Sequence, residues 1–145
     1  MDRARFLWIV IAAAVVATLH AQTSYRARLS VVPIDIPMQS AIAGSGAATA
    51  TLKGTTLSIT GTFTGLKTAA TVARVHRGPK TAMRGPAIGD LTVTAATSGS
   101  ITGSIELTKE QIDDLAAGRF YIQVHSQKAP DGNLWGWLLA SEGKK

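Results

Sequence analysis

The chain has 145 residues, enough for one domain with a hydrophobic core, and a formal net charge of +6. It has no cysteine, which excludes disulfides, thiolate metal sites and cysteine nucleophiles. With 14 glycines, only 6% aromatic residues and many small and β-branched ones, the composition favours an all-β sandwich or barrel over a helical bundle.

The N-terminus has the layout of an export signal. A short basic start, MDRAR, precedes the uncharged run FLWIVIAAAVVATL, and Ala21 offers a small residue for cleavage before Gln22. Two alternatives remain open, because a membrane-spanning helix needs roughly 20 apolar residues. Residues 1–21 are a cleaved signal peptide, or residues 6–25 stay as an inner-membrane anchor. Either way, Arg3 and Arg5 stay inside and the rest of the chain is periplasmic or secreted.

The part of the chain that is predicted to be exported has a positive net charge. Without residues 1–21 it has 13 basic and 8 acidic residues, since Arg3, Arg5 and Asp2 are removed, and its net charge is then +5. An exported protein seldom meets nucleic acid, so this charge points to phospholipid head groups or acidic protein surfaces. The alternative is that the charge only aids solubility.

From Tyr25 onwards, short alternating runs predict strands between turns, with one turn at Lys53-Gly54 and a loop around Gly44 and Gly46. Turn signals recur every 8 to 12 residues, which is typical of a sandwich of about eight strands. The residues predicted to face the core are Ala48, Ala50, Leu52, Leu57, Ile59, Phe63, Ala73, Val75, Leu91, Val93, Ile101, Gly103 and Ile105.

One helix interrupts the strands, in LTKEQIDDLAAGR. Thr108 is predicted to cap it, with Gln111 reaching back to the cap, and Gly118 to end it. Ile112 and Leu115 form its buried stripe.

The last two strands are predicted in RFYIQVHS and NLWGWLL, joined by the loop QKAPDG. Residues two apart on a strand share a face. The apolar face that suits the core consists of Phe120, Ile122, Val124, Leu134, Gly136 and Leu138. The opposite face carries Tyr121, Gln123, His125, Trp135 and Trp137.

The two tryptophans on that outer face predict a docking surface. A Trp can bury up to ~250 Å², which at about 25 cal/mol per Å² supplies several kcal/mol on docking. The alternative is that a loop or the N-terminal strand of the same domain covers them.

Three segments in this order, GTFTGLKTAATVARVHRGP, ELTKEQIDDLAAGRFYIQVHS and PDGNLWGWL, resemble the CHRD domain, first described in chordin and common in exported bacterial proteins. The resemblance spans roughly Tyr25 to Leu139. It implies an immunoglobulin-like Greek-key sandwich and no reaction. Two departures stand out: Arg74 replaces the first histidine of the family's HIH pattern, and Trp135 and Trp137 replace a polar pair in its closing strand.

His76 and His125 are the only histidines of the exported part. Each ends a predicted strand, so they could meet and bind a metal, with Asp90 and Asp131 as helpers, but a metal site wants three or four ligands. We therefore predict no cofactor and favour hydrogen bonds to backbone. Convergent ring nitrogens with a carboxylate nearby would favour metal, whereas separated or backbone-bound rings would favour a structural role.

No sequence motif of a catalytic nucleophile, of a zinc protease or of a phosphate-binding loop is present. Asp113 and Asp114 are adjacent on the predicted helix and point about 100° apart, so we predict solvated side chains and not a catalytic pair. No enzymatic activity and no small-molecule substrate is expected.

A basic cluster is predicted in RVHRGPKTAMRG, formed by Arg74, Arg77, Lys80 and Arg84. It could contact acidic protein or lipid head groups; the alternative is a solvated loop.

The sequence thus predicts a CHRD-like β-sandwich in residues 22–139, followed by a polar basic tail in residues 140–145. The domain would bind or stabilise a membrane-associated partner complex, or the membrane surface, at the periplasmic face. Its contacts would be Trp135, Trp137, Tyr121 and Gln123, with the basic loop. An accessory subunit of a respiratory or photosynthetic complex would fit. The rival is a metal-binding or redox protein that uses His76 and His125.

Overall fold

The structure is a computed structural model that describes residues 22–31 and 35–141. The predicted signal peptide or N-terminal helix, and residues 142–145 of the predicted tail, lie outside these residues. Residues 22–25, the end of the predicted anchor range, belong to the first strand. In the described part of the chain no helix is long and apolar enough to cross a membrane.

The described residues form nine strands and one α-helix. Their bounds are β1 (Gln22–Val31), β2 (Ser45–Lys53), β3 (Thr56–Thr64), β4 (Ala70–Arg77), β5 (Ala87–Val93), β6 (Gly99–Glu106), α1 (Lys109–Ala116), β7 (Phe120–Ser126), β8 (Ala129–Trp137) and β9 (Leu139–Ala140). A short 3-10 helix (Pro37–Ser40) follows β1. The predicted all-β class, with about eight strands and one short helix, is confirmed.

The sheet closes on itself. Its strands run in the order β2-β3-β6-β5-β4-β7-β8-β1, every pair is antiparallel, and β1 also pairs with β2. The result is a closed eight-stranded barrel, whereas the sequence had suggested two packed sheets. Strand β1 decides this difference, because its pairing with β2 runs from Gln22↔Lys53 to Ser30↔Ser45 while Ser30 also pairs with Trp135 of β8. Alternation along a strand is the same in both architectures and cannot distinguish them.

Side chains fill the barrel interior, as expected for eight strands. The predicted inward faces of β2, β3 and β4 are buried, and Tyr25, Ala27 and Leu29 of β1 join them. Val93 and Ile105 pack against this core while only partly buried.

Two predicted loops are shorter than expected. Gly46 lies inside β2, and the loop predicted between the last two strands shrinks to a turn at Gln127 and Lys128. Pro130 and Asp131 therefore belong to β8.

The helix begins and ends as predicted. The Thr108 hydroxyl accepts a hydrogen bond from the backbone N–H of Gln111 at 3.2 Å, and the Gln111 side-chain oxygen accepts one from the Thr108 N–H at 2.9 Å. Gly118 follows the helix with a φ of 72°, in the left-handed region that favours glycine. Leu115 is fully buried and Ile112 partly so.

The prediction for the two adjacent aspartates is half wrong. Asp113 is exposed, 3.9 Å from Lys109, but Asp114 is buried and forms ion pairs with both Arg77 and Arg119. The helix packs over one end of the barrel, where Arg77 ends β4 and Arg119 precedes β7. The Asp114 side chain points toward these two guanidinium groups.

The same network anchors the loop of residues 78–86, which connects β4 to β5. Arg119 donates from Nε to the Gly78 carbonyl at 3.0 Å, and the Gly78 N–H donates to the Arg119 carbonyl at 2.8 Å. The Thr81 hydroxyl donates to the Ala117 carbonyl at 2.8 Å. The loop is thereby held against the helix.

Candidate docking surface

The two C-terminal tryptophans lie on the outside of the barrel. In the β7–β8 register Tyr121 pairs with Trp137 and Gln123 pairs with Trp135. Between these pairs, Ile122 and its partner Gly136 are buried on the core side. The predicted strand parity is confirmed, and both indoles are half-buried rather than fully exposed.

The tryptophans belong to an aromatic cluster of His76, Tyr121, Trp135 and Trp137. The Tyr121 ring lies at its centre, 5.8 Å from the Trp135 ring edge-on and 4.8 Å from the Trp137 ring, while the two indoles are 6.0 Å apart. His76 stacks on Tyr121 at 4.7 Å with an interplanar angle of 14°. These geometries are typical of favourable aromatic pairs and fix the orientation of both indoles.

Tyr121 and Gln123 lie beside the tryptophans on the neighbouring strand β7 and are buried. Only 2% of Tyr121 and 7% of Gln123 is exposed. Gln123 donates from Nε2 to the Asp131 carbonyl at 2.9 Å. Neither side chain is placed to meet a partner directly, so their role at this surface is support.

The loop of residues 78–86 covers one side of the cluster. The Tyr121 hydroxyl donates to the Gly85 carbonyl at 3.0 Å and accepts from the Gly85 N–H at 3.2 Å. The Arg84 guanidinium lies 4.3 Å above the centre of the Trp135 ring, a cation–π contact. The predicted alternative of a covering loop therefore holds for part of the surface.

The four predicted basic residues do not form one cluster. Arg74 pairs with Asp90 at 2.9 Å, and Arg77 points to the helix, where it contacts Glu110 at 2.8 Å as well as Asp114. Lys80 is exposed on the loop. Arg84 alone lies on the tryptophans.

Strand β1 contributes two arginines that were not among the basic residues predicted from the sequence to contact a partner. Arg26 pairs with Leu139 of β9 and Ser30 pairs with Trp135 of β8, so the shared register places Arg28 opposite Trp137. Arg26 and Arg28 are exposed, on the opposite side of the strand from its core residues. The alternation in YRARLS indicates that they face outward, but only the barrel shows which strand lies beside them.

Salt bridges divide the six arginines of the described residues into two groups. Arg74, Arg77 and Arg119 each contact a carboxylate. In the same part of the chain Arg26, Arg28 and Arg84 form no salt bridge. Arg28 and Arg84 border the tryptophans, and Arg26 lies beside Leu139. We call this surface the arginine–tryptophan face; it consists of Arg26, Arg28, Arg84, Trp135, Trp137 and Leu139.

The two histidines are bound to backbone carbonyls. Nδ1 of His76 lies 2.9 Å from the Gly85 oxygen and Nδ1 of His125 lies 2.7 Å from the Pro130 oxygen. Since a carbonyl only accepts, each neutral ring carries its proton on Nδ1. The two rings lie on the adjacent strands β4 and β7 but are four residues apart along them, because His76 pairs with Tyr121 and His125 pairs with Val72.

The two imidazole rings are separated, and each is bound to a backbone carbonyl, an arrangement that favours hydrogen bonding over metal binding. Both Nε2 atoms are buried without a hydrogen-bond partner. Asp90, a suggested helper, is paired with Arg74. Over residues 22–31 and 35–141 no group of three or more His, Cys, Asp or Glu side chains is arranged to hold a metal ion.

The family model of the CHRD domain matches residues 15–138, most of the chain. The chain belongs to the CHRD domain family. No curated protein and no solved structure matches it.

The stability of this CHRD domain should fall in mild acid through His76. Burial lowers the pKa of His76, the Gly85 hydrogen bond partly opposes this, and the nearby charges of His125, Arg74 and Arg84 lower it further. The unfolded chain then binds the proton first, so stability is retained above the unfolded pKa of about 6.5 and is lost as the pH falls through the folded value.

Urea unfolding from pH 7.5 downwards measures this effect. Wild type should lose more stability below about pH 6.5 than His76→Gln, whose side chain does not titrate in this range. Parallel pH profiles for the two proteins would show that His76 is not the group responsible.

Proposed function

We propose that this CHRD domain is an exported, non-catalytic module that binds or stabilises a membrane-associated partner complex at the periplasmic face. The observation that carries the proposal is the pair Trp135 and Trp137, held outside the barrel on a prepared support. An accessory subunit of a respiratory or photosynthetic complex fits this role.

The rigidity of the support favours docking. Tyr121 is buried and contacts both indoles, and its hydroxyl makes two hydrogen bonds with Gly85. Side chains that are already ordered lose little conformational entropy on association. Tryptophan is also enriched among the residues that contribute most to protein interfaces.

The positions of the carboxylates support a non-catalytic role. Asp90 and Asp114 lie in ion pairs with arginine, and Glu106 accepts hydrogen bonds from the Thr55 and Thr56 hydroxyls. The two hydroxyls, Thr56 before Thr55, stabilise the charged form of Glu106 and lower its pKa, which makes this carboxylate a poor proton acceptor.

The rival function, a metal-binding or redox protein, rests on the buried Nε2 lone pairs of His76 and His125. A ring that donates from Nδ1 to a backbone carbonyl has the tautomer of many metal ligands. Metal analysis after a copper soak separates the two roles. Stoichiometric copper that disappears in His125→Ala would favour the rival; substoichiometric copper unaffected by that substitution supports our proposal.

The proposal predicts that Trp135→Ala/Trp137→Ala loses its partner. Chains recovered from gently solubilised membranes should bring down partner proteins at least tenfold less well than wild type, because an interface hot spot contributes about 2 kcal/mol or more. Mass spectrometry of the recovered proteins provides the measurement.

A matched control tests the specificity of this loss. Thr92→Ala/Thr102→Ala removes two exposed hydroxyls of paired residues on β5 and β6, strands that adjoin neither β8 nor β1, and should bind as wild type does. Circular dichroism confirms that both variants are folded. Equal recovery by wild type and the tryptophan variant would count against the proposal.

A further inference from the structure

The arginine–tryptophan face combines an apolar row with cationic borders. Trp135, Trp137 and Leu139 form the row along β8 and β9, and 55% of Leu139 is exposed. Arg26 and Arg28 border it on β1, and Arg84 lies over its other end. Along β8 the nearest carboxylate is Asp131, four residues from Trp135, or roughly 13 Å at strand spacing.

From this arrangement we propose that the face docks on an anionic phospholipid surface. Arg26 and Arg28 bind lipid phosphates, while the indole of Trp137 and the side chain of Leu139 enter the interfacial layer. The inference rests on the proposed function, since it assigns the chemistry of the membrane that the same surface meets.

Charge complementarity supports this occupant. Among the described residues, the three arginines without carboxylate partners lie around the apolar row, whereas each of the other three forms an ion pair. A planar guanidinium binds phosphate oxygens in a bidentate manner. Tryptophan is enriched at the boundary between acyl chains and head groups. Each arginine near an anionic surface should contribute about fivefold to the partition coefficient.

The position of the face along the chain agrees with a membrane contact. Strand β1 begins at Gln22, just after the uncharged run of residues 6–19 and His20-Ala21. Arg26 is four residues further, so it lies within roughly 13 Å of the start of the strand. The chain thus leads from its most apolar segment directly to the cationic border of this face.

The spread of the arginines favours lipid over an acidic protein. Arg26 and Leu139 line a groove of about 1040 Å³, whereas Arg28 and Arg84 lie outside it, so the three arginines do not converge on one pocket. A fluid head-group layer can supply a phosphate to each of these separated charges, whereas a folded acidic partner would need a carboxylate placed at each one. An acidic protein is therefore kept as an outcome of the test.

Fluorescence quenching by brominated lipids tests the proposal. The chain has three tryptophans, so Trp8→Phe leaves Trp135 and Trp137 as the only emitters. This full-length chain is reconstituted in brominated phosphatidylcholine vesicles, with or without about one-third phosphatidylglycerol to provide the anionic surface. We expect clearly stronger quenching with the anionic lipid, and loss of the difference near 1 M salt, where the Debye length is about 3 Å.

Two double variants assign the effect. Arg26→Gln/Arg28→Gln should remove the dependence on anionic lipid, by about 25-fold in partitioning if both arginines contribute. Lys109→Gln/Lys128→Gln makes the same change of charge at exposed positions outside the face and should behave as wild type. Equal quenching in both lipids, or no effect of the arginine substitutions, would overturn the proposal.

Partner recovery with the same variants separates this inference from the proposed function. If the tryptophan variant loses its partners but no lipid-dependent quenching occurs, the lipid surface is wrong and the partner complex stands. If quenching depends on the arginines but the tryptophan variant recovers all partners, the reverse holds. Loss of partners by the arginine variant without quenching would indicate an acidic protein and refute the lipid surface.

Discussion

Replacement of Asp114 by asparagine should lower the free energy of unfolding by about 2–3 kcal/mol. Breaking a buried ion pair costs roughly 3–5 kcal/mol. We expect a smaller loss here because the side chains of Arg77 and Arg119 are each 25% exposed, so solvent screens the charges. Asparagine keeps the shape of aspartate, so the loss reports the charge and not a cavity. Urea unfolding followed by circular dichroism measures the change.

The neighbouring residue is the control for this experiment. Asp113→Asn removes the same charge one position away, where the carboxylate is exposed and 3.9 Å from Lys109. Its cost should be below about 0.5 kcal/mol, the value of an exposed i,i+4 pair. Similar losses in both variants would contradict the assignment of Asp114 as the ion that joins the helix to the barrel.

Replacement of Gly136 by alanine should cost about 3 kcal/mol, the upper range for overpacking. A Cβ at this position would lie 2.2 Å from the Arg28 carbonyl oxygen and 2.8 Å from its carbon. These are backbone atoms of β1, which is also paired with β2 and cannot move away without breaking that ladder. Thermal and urea unfolding should both show the loss.

Gly103→Ala is the matched control for overpacking. Gly103 also lies inside a strand, but a Cβ there would meet only the end of the Leu91 side chain at 2.5 Å, with the next atom at 3.5 Å. A rotation of Leu91 can relieve this contact, so the cost should stay below about 1 kcal/mol. If the two alanine variants were equally stable, the close approach of β1 and β8 would not be the cause.

Each of these two predictions combines a local property, which strand or helix geometry dictates, with a contact between elements that are distant in the chain. That Gly136 faces the core follows from alternation with Trp135 and Trp137. That its missing side chain makes room for the backbone of β1 depends on a strand more than 100 residues earlier in the chain. Likewise, two adjacent helical aspartates must point in different directions, but which one is buried depends on where β4 ends and β7 begins.

The sequence by itself determined the local features and the family. Alternation with a period of two residues placed Trp135 and Trp137 outside, and the spacing of Thr108 and Gln111 predicted the helix start. Both are relations between residues a few positions apart, which strand and helix geometry dictate directly. The order of the motifs likewise indicated the CHRD domain, which the family comparison confirmed.

Only the tertiary structure decided how these pieces meet. Closure of the barrel and the position of Arg28 opposite Trp137 follow from the pairing of β1 with β2 and β8. Burial of Tyr121 follows from the pairing of β7 with β4 and β8 and from the loop of residues 78–86. Strands of equal alternation can pair in many orders, because each inward face satisfies the same hydrophobic requirement. The order is selected by packing across the whole core, and this order brings Arg26, Arg28 and the half-buried tryptophans onto one surface.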